Sequence, residues 1–250
     1  MCAMMDSAAV AARASGLARP TAALCEPYSL NTYRSAPTRG REDIDPLPQI
    51  AVMMKYAKNQ TIYYEGDEAG YNFKVLSGTV RLCKVTEDGR RQIAAFPTAG
   101  DFFGWADQGT YNYSAEAVTD VVLERYARRQ VEEAVKSNPR TSHRVLALLS
   151  SQLASAQDHL LLLGRMTAEE RVATFLLEWA KQCDDAMEAK ATTVELPMNR
   201  RDIADYLGLT IETVSRTLSA MKRDGHISLS STDNVRLNHR HVLERLATAA

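Results

Sequence analysis

The run Asn199–His226 constrains this chain more than any other, because two capping side chains and one glycine divide it into two short segments, each with an apolar face. Asn199 can accept from the free N–H groups that open a helix, and Asp202, three residues on, favours the positive end of the same helix. Ile203, Ala204 and Leu207 then share one face, with Ala204 small where a second helix must cross closely. Gly208 supplies the left-handed conformation that ends helices. Leu209 plugs the turn and Thr210 caps a second helix, expected over Ile211 to Arg223 with Val214, Leu218 and Met221 inward. Caps, small residue, turn glycine and both apolar faces agree on two helices joined by a tight turn.

That geometry lets a protein lay its second helix in the major groove of DNA. The outward face of the second helix carries Glu212, Ser215, Arg216 and Ser219. Arginine can bond guanine O6 and N7 together, glutamate can accept from cytosine N4, and serine adapts to either. An acid facing phosphates opposes binding, so Glu212 makes sense as a base reader or as an orienting partner for Arg216. Arg201, Thr210, Thr213 and Ser219 are the candidate contacts to the DNA backbone. After His226, Ile227–Leu229 and Val235–Leu237 flank the turn Ser231–Asn234, a small hairpin expected as a wing, and a short helix is expected from Arg240. Charge adds little: the net charge is −1, and Lys190–Ala250 holds nine Lys/Arg against seven Asp/Glu, a mild basic bias.

Upstream the texture differs. Residues 1–45 have little periodicity and contain Pro20, Pro27 and Pro37, which reads as a flexible arm with further possible starts at Met4 and Met5. The arm has no apolar centre of a secretion signal, and no apolar run approaches the roughly 18 residues that cross a bilayer. From about Met53 to Tyr126, short β-prone runs alternate with glycines, and Glu87-Asp88-Gly89 marks a hairpin, so an antiparallel barrel or sandwich is expected. Beyond Asn138-Pro139, Leu146, Leu149, Leu153, Ala156, Leu160 and Leu163 recur at alternating steps of three and four, the seam of a dimer helix that Gly164 can break. Thr167 and Glu170 fit a capping box for a following helix, and the polar segment from Cys183 to Thr193 reads as a loop. Cys2, Cys25, Cys83 and Cys183 are scattered, which is neither a disulfide framework nor a zinc site and suits a reducing cytoplasm.

A glycine-punctuated β domain, a long dimer helix and a winged helix-turn-helix, in that order, resemble the CRP/FNR family of transcription regulators over roughly residues 45–245. The run LPMNRRDIADYLGLTIETVSRTLSAMKRDGHI carries most of the resemblance, and Glu212, Ser215 and Arg216 match the E-x-x-S-R pattern of its FNR/FixK branch. The resemblance implies an α+β fold: a flexible arm (1–45), an antiparallel β-roll of the cyclic-nucleotide-binding, jelly-roll type (46–135), a dimerisation helix (136–165) and a winged helix-turn-helix (166–250). It implies a homodimeric activator on double-stranded palindromes resembling TTGAT-N4-ATCAA, with RNA polymerase as partner and genes of low-oxygen respiration or nitrogen metabolism as targets. Arg216 would read the guanine, Glu212 the cytosine strand and Ser215 a neighbouring A·T pair.

The family's sensing residues fit this chain poorly. Cyclic-AMP binders of the family carry Gly-Glu and Arg-Ser pairs, and the matching places look like Gly100-Asp101 and Tyr113-Ser114. A tyrosine cannot neutralise a cyclic phosphate, so no cyclic nucleotide is expected. The oxygen-labile cluster of FNR needs converging thiolates, which Cys2, Cys25 and Cys83 do not offer. No cofactor and no metal is expected; His239 and His241 read as surface residues, and Cys183 remains a candidate oxidation site. No nucleophile-and-base spacing or phosphate loop suggests an enzyme. The competing reading is an allosteric receptor whose β domain binds a small effector or responds to redox state to control the DNA-binding end.

Overall fold

A computed structural model describes residues 51–186, 193–231 and 233–248. The expected N-terminal arm, with Cys2 and Cys25, lies outside them.

Eight strands come first: β1 (Val52–Tyr56), β2 (Thr61–Tyr63), β3 (Tyr71–Ser77), β4 (Val80–Val85), β5 (Arg91–Ala95), β6 (Phe102–Phe103), β7 (Ser114–Ala117) and β8 (Val121–Ala127). They form two antiparallel four-stranded sheets, ordered β1-β8-β3-β6 and β2-β7-β4-β5, which face each other as a β-roll. The turn between β3 and β4 needs Gly78: its φ is +87°, and a Cβ there would stand 2.3 Å from the Asp120 carbonyl oxygen. The space between the sheets is filled by the chain's own rings. Tyr63 stacks on Tyr111 with centroids 3.7 Å apart, Phe73 lies 5.6 Å from Tyr63, and Phe103 lies 5.3 Å from Phe73. All four are buried, with Val75, Val80, Ala115 and Leu123 around them.

The roll continues into α1 (Arg128–Ser137) and α2 (Pro139–Arg165). The dimer helix expected over 136–165 is thus preceded by a separate helix, and Asn138 both ends the first and caps the second, accepting from the Arg140 N–H. Gly164 does not break α2, which runs one residue further and stops at Met166. One side of α2 docks on its own roll: Val145 is buried, Leu148 packs beside Phe102 and Tyr126, and Gln152 donates to the Phe102 carbonyl at 2.7 Å. The opposite side exposes Leu146, Leu149, Leu153, Ala156 and Leu160 in one stripe, with Leu160 68% exposed. Leu163 departs from the expected seam: it is half-buried against the chain's own helical core.

The remainder comprises α3 (Ala168–Ala186), β9 (Thr193–Glu195), α4 (Arg200–Leu207), α5 (Ile211–Arg223), β10 (Ile227–Leu229), β11 (Asn234–Leu237) and α6 (Arg240–Thr248). The capping box at α3 forms, with the Thr167 N–H donating to Glu170 at 2.7 Å. Two expectations change. The helix runs through Cys183, where a loop was expected, and the described part of Cys183 is its helical backbone. The wing has a third strand, β9, paired to β11 and anchored by fully buried Val194. Its three residues were too short and too polar at the ends to show a period in the sequence.

Candidate nucleic-acid interface

The second helix of the motif is presented by short-range bonding. Asn199 accepts from the Asp202 N–H at 2.9 Å and starts α4. Gly208, in the left-handed conformation at φ 62°, ends it, and a Cβ there would meet Leu163 at 3.1 Å. Thr210 then caps α5, accepting from the Thr213 N–H at 3.2 Å. Val214, Leu218 and Met221 are buried against Ile203, Ala204 and Leu207, so the helix can turn only one face outward.

That face carries Glu212, Ser215, Arg216 and Ser219, all exposed. Glu212 is held below the usual carboxylate range, first by its own backbone N–H, then by the Thr210 hydroxyl, with the charges of Arg216 and Arg201 adding to both. It is therefore an acceptor beside Arg216, one helical turn away. Arg201 is exposed in the first turn of α4. Three candidate backbone contacts are engaged locally. Thr210 bonds to Glu212, the Thr213 hydroxyl lies 3.0 Å from that of Thr210, and the Ser219 hydroxyl donates to the Ser215 carbonyl at 2.8 Å. A phosphate would have to turn these hydroxyls toward itself.

The sequence reading missed Ile211. It stands at the first position of α5, 39% exposed although apolar, beside Glu212. Its signal was an isoleucine where a helix's first turn meets solvent. Lys222, Arg223 and Arg236 are also exposed, at the end of α5 and on the wing strand β11.

The positions matched to the family's cyclic-nucleotide pairs have local partners: Asp101 in one sheet and Ser114 in the other. Gly100 and Asp101 precede β6 in one sheet, and the Asp101 carboxylate accepts from the Thr98 N–H and hydroxyl at 2.8 and 3.1 Å. Tyr113 and Ser114 belong to the start of β7 in the other sheet, where the Ser114 hydroxyl accepts from the Glu65 N–H at 2.9 Å. In the same roll, burial pushes the Cys83 thiol up to about 11, with Glu116 raising it further and Arg91 and Arg81 opposing, so at neutral pH it is a protonated thiol. Among the described residues no group of three or more His, Cys, Asp or Glu is placed to hold a metal. His239 and His241 are exposed, and their rings lie edge to face. No helix among the described residues is long and apolar enough to cross a membrane.

Residues 170–246 match the profile of a Crp-like helix-turn-helix domain, and residues 53–138 that of a cyclic nucleotide-binding domain. The nitrogen fixation regulation protein FixK of Azorhizobium caulinodans is 46% identical over 191 residues, covering 76% of this chain and 77% of the relative. The transcriptional activator protein FnrL of Cereibacter sphaeroides is 36% identical over 198 residues, covering 78% of this chain and 79% of the relative. The solved structure of FixK2 from Bradyrhizobium japonicum superposes with a TM-score of 0.74 at 42% identity, covering 80% of this chain and 99% of that one. With an antiparallel β-roll, a long helix and a helix-turn-helix whose reading face stands open, the chain belongs to the CRP/FNR family of DNA-binding transcription regulators, in its FixK-like branch.

Proposed function

We propose that the protein is a homodimeric activator in the cytoplasm that reads TTGAT-N4-ATCAA-like palindromes and recruits RNA polymerase to genes of low-oxygen respiration or nitrogen metabolism. The observation that carries this reading is the pairing of exposed Glu212 and Arg216 one turn apart on a helix whose other face is buried. Arg216 bonds guanine, Glu212 accepts from the cytosine strand, and Ser215 meets an A·T pair. Ile211 extends this set, because an apolar side chain in the first turn suits the thymine methyl. Arg201, Thr210, Thr213 and Ser219 contact the sugar-phosphate backbone. Leu146, Leu149, Leu153, Ala156 and Leu160 join two copies, which sets two recognition helices on one palindrome. In this division of the chain, β1 to β8 form the roll, α2 the dimer helix and α3 to α6 with the wing strands the DNA-binding domain.

Footprinting on the palindrome tests the reading, and a chain that protects no such site would end it. Leu153→Asp places a charge in the seam. It is expected to yield monomers by sedimentation and to lose palindrome protection.

The name of the roll's profile favours a second reading, an allosteric receptor for a small effector. It requires an effector that raises DNA affinity and DNA that raises effector affinity by the same factor. Calorimetry with cyclic nucleotides separates the two readings: the first expects no heat of binding, since stacked rings fill the space between the sheets and Tyr113 brings no charge.

A further inference from the structure

The face of the β2-β7-β4-β5 sheet that turns away from the ring stack is not left to water. Cys83, Ile93 and Phe96 on that face belong to the same buried cluster as Leu176, Trp179, Ile203 and Leu207. Charges close the junction. Arg91 reaches Asp205 through Nε at 2.8 Å and Asp202 through Nη2 at 2.5 Å. Arg81 lies 3.2 Å from Asp202 and holds Glu116 of its own sheet at 2.7 Å. The Asp202 side chain is only 1% exposed. Gln92 donates to the Tyr206 carbonyl at 3.3 Å, and the Phe96 ring lies 5.4 Å from that of Tyr206. The far end of α4 is tied to the long helix instead: the Arg171 guanidinium donates to the carbonyls of Leu163, Met166 and Leu207 at 2.8 to 2.9 Å.

We propose that the Arg81–Arg91–Asp202–Asp205 junction is a positioning device that holds the helix-turn-helix in its DNA-reading orientation without an effector. Helix α4 is gripped at both ends, by the roll near Asp202 and by Arg171 at Leu207. Turning it relative to α2 would strand a buried carboxylate without its arginines, which costs far more than breaking an exposed pair. The junction touches α4 alone and leaves Glu212, Ser215 and Arg216 of α5 open, so the gripped state is a state that can read. A palindrome demands a fixed separation between the two recognition helices, and a domain free to swivel loses affinity each time it must be ordered. In this protein the ion pairs do what a bound effector would otherwise do. The proposal rests on the palindrome reading above.

The test compares the full-length wild type with Arg91→Gln, Asp205→Asn and Arg216→Ala. Fluorescence anisotropy gives affinities for a single half-site and for palindromes with spacers of three, four and five base pairs. The wild type is expected to favour one spacer. Arg91→Gln, which removes pairs to both aspartates, is expected to flatten that preference and to lose about tenfold on the favoured spacer, within the usual range of coupling between sites. Its half-site affinity is expected to stay unchanged. Asp205→Asn, an isostere at the less buried pair, should show the same change in smaller degree while folding normally by circular dichroism. Arg216→Ala serves as the contrast, losing half-site affinity and keeping the spacer preference. Variants that retain the wild-type spacer preference, or that lose half-site and palindrome affinity equally, would overturn the proposal. A wild type that binds the half-site but prefers no spacer also overturns it, while one that binds neither half-site nor palindrome removes the palindrome reading itself.

Discussion

The roll and the helix-turn-helix use their large side chains in opposite ways. In the roll, Tyr63, Phe73, Phe103 and Tyr111 turn inward and stack, so the space between the sheets is occupied by the protein itself. On α5 the apolar residues also turn inward, but the outer face keeps Ile211, Glu212, Ser215 and Arg216 in solvent. An interior stack contributes through packing and tolerates little change in volume. Exposed groups on a rigid helix contribute little to stability and stand ready for a partner. The two regions should therefore respond to substitution in different observables, and four changes test that contrast.

The largest expected effect is in the roll. Phe103→Ala removes a ring that is 2% exposed and should lower stability by about 3–5 kcal/mol. Denaturant titration measures this; the base preference of the protein that remains folded should be unaltered. Next is the reading face. Arg216→Ala should leave the melting temperature within a degree or two and weaken palindrome binding by about 1–3 kcal/mol, with relaxed preference at the guanine. A loss of stability instead of affinity would place Arg216 with the structural residues. A smaller effect lies between them: Asn199→Ala removes the cap on α4 and should cost about 1 kcal/mol of stability. Because α4 supports α5 and in this reading meets only the sugar-phosphate backbone, through Arg201, the sequence preference should survive.

The smallest effect concerns Cys83. Its pKa in the folded chain, about 11, lies above its ordinary value of 9.0. A raised value means that the fold favours the protonated thiol. That contribution is complete below about 9 and disappears as pH rises toward about 11. Cys83→Ala should lose slightly less stability than the wild type between those limits in thermal melts. Iodoacetamide at pH 8 should leave Cys83 unmodified in the folded protein; rapid labelling there would contradict its burial.

The reading face was legible in the sequence because each part of it is local. Asn199 to Asp202, Gly208, and Thr210 to Thr213 are contacts within one turn of helix, and their residue types admit few other conformations. The seam on α2 was legible as a period, but not its end. Leu163 keeps the spacing of the stripe yet turns into the helical core, because Gly208 and the end of α4 pass beside it. Strand β9 escaped because three residues are too few to establish a period, and its pairing with β11 is made across some forty residues.

The sequence by itself determined the two helices of the motif, where the motif turns and which side chains its second helix turns outward. The tertiary structure alone decided what lies against what. In the sequence, Asp202 was a helix-start acid, and Arg81 and Arg91 were two positions within the β-prone stretch from Met53 to Tyr126. Folding brings them together over separations of 121 and 111 residues. An ion pair between residues so distant leaves no period, cap or turn to read. It exists because β4 and β5 present that face to α4, and because a carboxylate buried there needs its arginines.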